Sequence, residues 1–173
     1  MSIINEAKKG NSEAFVTLIE QYKIQMYKTA KAILKNEDDV CDAIQEALVS
    51  VYKNINTLKK EKYFKTWLIR ITINKCYDII ESNNNNMNKI EKQVIEYEEK
   101  EENLEGNLDL ERALSLIDND LRMVTVLYYY DDISVKQIAE ILGIPTGTVK
   151  SKLARARNKL CEILGQEEVS KVG

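Results

Sequence analysis

Apolar residues recur at three- and four-residue spacing along most of this chain, the period of helices buried along one side. Across Glu13–Leu34 the stripe is Phe15, Leu18, Ile19, Tyr22, Met26, Ala30 and Ile33, and a polar break at Asn36–Asp39 follows that also suits a helix cap. From Val40 to Ile55 it continues as Val40, Ile44, Ala47, Leu48, Val51 and Ile55, while Asp42, Gln45 and Glu46 fall off it. Asn56–Tyr63 reads as a lysine-rich loop. Phe64–Ile80 carries two patterns: Trp67, Ile69, Ile71 and Ile73 alternate as in a strand, yet Phe64, Trp67, Leu68 and Ile71 also share a helical stripe. A second helical stripe holds Tyr63, Arg70, Asn74 and Tyr77. The length of the segment and its lack of turn residues favour helix, with Phe64 and Trp67 as core. Leu108–Ile117 and Leu121–Tyr130 predict two further helices.

Ile133–Leu160 is the most specific stretch. Ser134 and Gln137 form an S-x-x-Q capping box, with Ile133 and Ile138 at the positions of a hydrophobic staple, so a helix should start at Val135. Gly143 ends it, because glycine adopts the left-handed conformation without strain. Pro145, the single proline, starts the next helix. Helix, glycine turn and basic helix make the helix-turn-helix pattern of DNA-binding proteins. On the second helix Val149, Leu153, Ala156 and Leu160 line one side, and Gly147, Ser151, Ala154, Arg155 and Asn158 lie opposite. Lys150 and Arg157 flank that outer face on one edge, Lys152 and Lys159 on the other. Small central residues allow deep entry into the major groove, Ser151 and Arg155 can reach base edges, and the flanking cations meet phosphates. Charge runs alone are more often solvated faces; the capped partner helix and the turn tip the balance towards DNA.

Composition refines this picture. The chain has 173 residues and a net charge of −3, which argues against nucleic acid until the charge is resolved along the chain. Residues 1–82 hold 13 Lys and Arg against 11 Asp and Glu, residues 83–108 hold 3 against 7, and residues 109–173 hold 9 against 10. Positive charge concentrates at Lys59–Lys75 and Lys150–Lys159, one patch in each half. Composition breaks at Ser82–Asn88, before the acidic stretch Lys89–Gly106. The expected fold is therefore all-α: two small helical domains, 1–82 and 108–165, joined by a flexible acidic linker at 83–107, with a tail at 166–173. There is no histidine and no phosphate-cradling glycine loop, which disfavours an enzyme, and no cofactor or metal is expected. Cys41, Cys76 and Cys161 read as reduced thiols. With no apolar run of membrane length and no signal peptide, a cytoplasmic location is expected.

Four segments together resemble a known family: FVTLIEQY, DAIQEALVSVYKNI at Asp42–Ile55, FKTWLIRITINKCYD at Phe64–Asp78, and IAEILGIPTGTVKSKLARARNKL. In this order and spacing they are similar to bacterial sigma factors of the extracytoplasmic-function group, over nearly the whole chain outside the linker and tail. The resemblance implies that Asp42, Gln45 and Glu46 dock on the clamp helices of the largest subunit of core RNA polymerase, with a further contact to the polymerase flap. It implies that the loop Asn56–Lys62, with Lys59, Lys60 and Lys62, captures a base flipped from the −10 element. Arg70 and Asn74 would contact that element. Thr148, Lys150, Ser151, Lys152 and Arg155 match positions that read the −35 element. Ala154 stands where relatives often have a bulky residue, and lysines at 150 and 152 replace common arginines, so the −35 sequence does not carry over. The linker would thread near the polymerase active-site and RNA-exit path. An anti-sigma protein, often membrane-bound, is an expected partner; a small-molecule substrate is not.

The rival class is a stand-alone helix-turn-helix regulator acting as a dimer on a palindrome, which would need a dimerisation surface that the pattern does not offer. A metal-sensing regulator or enzyme is disfavoured by the missing histidines and scattered cysteines.

Overall fold

Side-chain caps place four of the helix starts among the described residues. In the computed structural model, which describes residues 1–89 and 108–172, Ser2 Oγ accepts from the Asn5 N–H at 3.2 Å and opens α1 (Ile3–Lys8). Asn11 Oδ1 accepts from Glu13 and Ala14 and opens α2 (Ser12–Glu20). Asn36 does the same for α4 (Glu37–Asn54), whose first turn holds Glu37, Asp38 and Asp39 against the positive end of the helix dipole. Between them lies α3 (Lys23–Ile33), which starts at Tyr22 without a side-chain cap. The single helical stripe expected over Glu13–Leu34 is thus two helices. Its break at Gln21–Tyr22 has no glycine or proline; Tyr22 leaves helical geometry where its ring packs 5.4 Å from that of Phe64. Helix α1 has no counterpart in the expected elements.

Two short 3-10 turns, Ile55–Thr57 and Glu61–Tyr63, lead into α5 (Phe64–Lys89). Helix therefore replaces the strand-like alternative, and it runs through the asparagine-rich break. Asparagine is a poor helix former, but extending a helix already packed below needs no new nucleus. The chain continues with α6 (Leu108–Leu116), α7 (Asn119–Thr125), one π-helical turn at Val126–Tyr130, α8 (Val135–Leu142) and α9 (Thr146–Val172). The fold is all-α, with no strand among the described residues. The acidic segment 90–107 lies outside them.

Three apolar clusters hold these helices. Leu18, Met26, Val51, Phe64 and Leu68 anchor one within the N-terminal half, with Trp67 packed half-buried against it. Leu121, Ala156 and Leu160 anchor another within the C-terminal half. The third draws on both halves: Ile33, Val40, Ile69, Ile73 and Cys76 meet Val124, Leu127, Ile138, Val149 and Leu153. Burying each large aliphatic residue there contributes about 1.5–3 kcal/mol, so the C-terminal unit is seated on α3 and α5 rather than hung from them. Polar bonds cross the same joint. Thr29 Oγ1 donates to Asp131 Oδ2 at 2.7 Å, and Arg122 Nε donates to the Ala32 carbonyl at 3.0 Å.

Candidate nucleic-acid interface

The C-terminal surface is built by its turn. Ser134 Oγ accepts from the Gln137 N–H at 3.2 Å and starts α8, while Ile133 and Ile138 are both buried as the staple requires. Gly143 takes φ +66°, and nothing lies within 4 Å of where a Cβ would stand. Glycine serves the backbone conformation here, not a tight contact. The Pro145 carbonyl accepts from Thr148 and Val149 at 3.0 and 3.2 Å and opens α9.

Helix α9 then divides as its periodicity predicts. Val149, Leu153, Ala156 and Leu160 are buried; Gly147, Lys150, Ser151, Arg155 and Asn158 are exposed, and Thr148 and Ala154 are half-buried. The cations differ from one another in ways the pattern did not reveal. Lys152 is half-buried, with its ammonium 2.6 Å from Asp120 Oδ2, and this bond holds the Asp120 carboxyl below its ordinary range. Lys159 pairs with Asp118 at 3.0 Å, and Arg157 donates to the Tyr129 hydroxyl at 3.1 Å. Ser151 Oγ donates back to the Gly147 carbonyl at 2.7 Å, so its hydroxyl hydrogen is turned onto the helix backbone.

The N-terminal surface pairs a loop with α5. Lys59, Lys60 and Lys62 are exposed on the loop. The loop itself is pinned: Leu58 is buried, Lys8 Nζ donates to the Leu58 carbonyl at 2.7 Å, and Ser2 Oγ donates to Glu61 at 2.7 Å. Lys62 also lies over the Tyr63 ring, 4.9 Å from its centroid. Nearly two turns along α5, Arg70 is exposed but donates to the Glu140 carbonyl of α8 at 3.1 Å. Asn74 is exposed on a shallow cleft lined also by Ser50, Ile71, Lys75, Tyr77 and Asp78. Tyr77, on the same stripe, directs its hydroxyl to Met123 Sδ at 3.7 Å.

A third surface lies on α4. Asp42, Gln45 and Glu46 are exposed together, opposite buried Val40, Ala43, Ala47 and Val51. The exposed face continues through Val49 and Tyr52, each about half accessible, and neither was singled out from the sequence. Three- and four-residue steps from Asp42 would have found them. Cys41 and Cys161 are exposed and Cys76 is buried, its thiol pushed up to about 12 by burial. No group of three metal-ligating side chains converges among the described residues.

Residues 18–85 match the family described as Sigma-70 region 2, and residues 107–160 match Sigma-70, region 4. The chain is 30% identical to the ECF RNA polymerase sigma factor SigW of Bacillus subtilis over 172 residues, covering 91% of this chain and 92% of that protein. It is 28% identical to the ECF RNA polymerase sigma-E factor of Escherichia coli K12, covering 91% and 90% of the two chains. Its fold resembles that of the sigma factor RpoE bound to the anti-sigma factor NepR from Bartonella quintana, with TM-score 0.68, 21% identity and coverage of 86% and 97%. It also resembles CnrH bound to the cytosolic domain of CnrY, with TM-score 0.66, 23% identity and coverage of 95% and 96%.

Proposed function

The chain belongs to the extracytoplasmic-function group of the sigma-70 family and is an RNA polymerase sigma factor, and from that premise we propose how its surfaces divide the work. Residues 1–82 bind core polymerase and the −10 element, and residues 108–165 bind the −35 element. Asp42, Gln45 and Glu46 on α4 dock on the clamp helices of the largest polymerase subunit, and the C-terminal unit meets the flap. Lys59, Lys60 and Lys62 hold phosphates beside a base extruded from the −10 element. Arg70 and Asn74 contact that strand along α5. Unstacking a base costs a few kcal/mol, and the pocket and backbone contacts offset it, so opening requires no nucleotide hydrolysis. Thr148, Lys150, Ser151, Lys152 and Arg155 read and clamp the −35 element in the major groove. The protein works in the cytoplasm and is held by an anti-sigma protein, the kind of partner seen with its structural relatives.

The observation that carries the DNA assignment is α9. One stripe is buried in the core, and the opposite face presents Gly147, Lys150, Ser151 and Arg155 to solvent. Reconstituted transcription tests it: the purified chain is combined with bacterial core polymerase on fragmented genomic DNA, and transcript starts are mapped. Discrete starts that require this protein, sharing two upstream elements, are expected. No starts and no binding to core would overturn the assignment in favour of a dimeric regulator.

A further inference from the structure

We infer that α1 is a brace for the −10 loop: Ser2 and Lys8 hold Lys59 and Lys60 in a fixed shape before DNA arrives, and both are positioning residues for promoter opening. The inference rests on the reading that this loop meets the −10 element. Helix α1 precedes residues 18–85, the span that matches Sigma-70 region 2. Its apolar side, Ile3, Ile4 and Ala7, packs on the cluster that holds Leu18, Val51 and Phe64. Its two polar ends reach the loop. Lys8 Nζ donates to the Leu58 carbonyl at 2.7 Å, and Ser2 Oγ donates to Glu61 Oε1 at 2.7 Å. From Ser2 to Lys8 the helix rises about 9 Å, and from Leu58 to Glu61 an extended chain covers about 10 Å. The strut and the loop tip it supports are therefore matched in length.

The loop gains from such support because its own backbone supplies little. Leu58 leaves one 3-10 turn in extended conformation, and Lys60 enters the next one extended as well. The Leu58 N–H donates to the Ile55 carbonyl at 3.2 Å, and the Tyr63 N–H donates to the Lys60 carbonyl at 3.1 Å. Lys59 and Lys60 are exposed, while buried Leu58 and Phe64 anchor the chain on either side. A loop that orders only on binding loses that entropy at the moment of contact, and one held beforehand has lost it already. Ser2 has a second effect. Glu61 is the one acidic residue between Glu46 and Asp78, and it stands among Lys59, Lys60 and Lys62. Its bond from Ser2 turns the carboxylate to α1 and away from competition with phosphates for those lysines. The same hydroxyl accepts from the Asn5 N–H at 3.2 Å, so one side chain both caps the brace and fixes it to the loop.

Amide exchange read by NMR tests the brace without polymerase or DNA. Lys8→Met keeps the stem and removes the donor, while Glu61→Ala removes the acceptor and leaves Ser2 capping α1. In each variant the Leu58 and Tyr63 amides are expected to exchange about tenfold faster, with the α5 amides unchanged. Lys8→Arg restores a donor and should return both amides to within about threefold of native. The second readout is opening by the holoenzyme, followed by 2-aminopurine placed in the −10 element of a promoter mapped by reconstituted transcription. Lys8→Met should slow the fluorescence rise about tenfold while leaving binding to core polymerase unchanged, and Lys8→Arg should recover it. Glu61→Ala should slow it too, although losing a negative charge beside three lysines would by itself strengthen phosphate contact. Exchange within about twofold of native in both variants overturns the brace. Faster exchange with a native opening rate overturns the positioning role. Lys59→Ala combined with Lys60→Ala tests the reading beneath: it keeps both bonds to α1 and should open poorly with unchanged exchange. Native opening in that variant overturns the promoter role of the loop, and the positioning role with it, while exchange still decides the brace.

Discussion

Replacing Arg122 with methionine removes the one buried cation among the described residues and tests what joins the two halves. Its Nε donates to the Ala32 carbonyl at 3.0 Å, Nη1 reaches the Ser115 carbonyl at 3.4 Å, and Nη2 bonds Asn119 Oδ1. Ala32 lies in the last turn of α3, where carbonyls have no partner within the helix, so the guanidinium caps α3 from α7. A hydrogen bond to a charged donor contributes about 1.5–3 kcal/mol, and a cation at a helix C-terminus about 0.3–1 kcal/mol. Methionine regains part of the packing but satisfies neither carbonyl, which leaves a net loss of about 2–3 kcal/mol. With a urea slope of about 2 kcal/mol/M the unfolding midpoint should fall by about 1–1.5 M. Trp67, the single tryptophan, reports on the N-terminal cluster by fluorescence, and far-ultraviolet circular dichroism reports on all helices. The two traces should coincide in the native protein. In the variant the dichroism should fall first, as the C-terminal half melts ahead. Arg122→Lys keeps the charge without the fork and should recover less than half of the loss. A midpoint shift below about 0.3 M with coincident traces would mean that the cost of burying the guanidinium cancels its bonds, and the capping argument would be refuted.

Other variants probe one surface each. Gly143→Ala forces a Cβ onto φ +66° and should cost about 1–2 kcal/mol, lowering the melting temperature by several degrees in calorimetry; an unchanged melt would contradict the need for a left-handed residue at this turn. Gln45→Ala and Glu46→Ala, both at exposed positions of α4, should weaken binding to core polymerase in a surface-immobilised assay while leaving thermal unfolding within about 0.5 kcal/mol of native. Arg155→Ala should lower transcription that depends on the −35 element by about 1–3 kcal/mol in apparent binding, and loss at promoters with a scrambled −35 would count against a base contact. Acid stability should show two opposing signs. Glu37, lowered chiefly by its bond from Lys31, stabilises the fold above its ordinary range, and that contribution is lost as pH falls through its depressed value. Asp131, its carboxyl pushed up to about 6 by burial, acts oppositely, so lowering the pH from 7 to 5 should stabilise the native chain by about 1 kcal/mol relative to Asp131→Asn in urea midpoints.

Much of the candidate site was legible because it rests on local rules. A cap spans three residues, a left-handed glycine is a property of one, and the 3.6-residue period assigns faces within a single helix. Ser134, Gly143, Pro145 and the buried and exposed sides of α9 needed nothing from elsewhere in the chain. The same period separates Asp42, Gln45 and Glu46 from the apolar stripe of α4. These rules are also blind in definite places. They do not say that the helix expected over Glu13–Leu34 breaks where the Tyr22 ring meets Phe64, 42 positions later in the sequence. Nor do they distinguish Lys150, open to solvent, from Lys152, held by Asp120.

Order along the chain thus determined most of the helical segments, the capped starts such as that of α8 at Ser134, and which α9 side chains face outward. Tertiary packing decided that α7, α8 and α9 share a core with α3 and α5, that Asp131 lies buried against Thr29, and that Arg70 meets Glu140. The physical reason is range. Helical hydrogen bonds and caps close within one turn and leave a periodic trace in the sequence. A contact between residues 70 or 102 positions apart leaves none, because its free energy exists only once the folded surfaces have met.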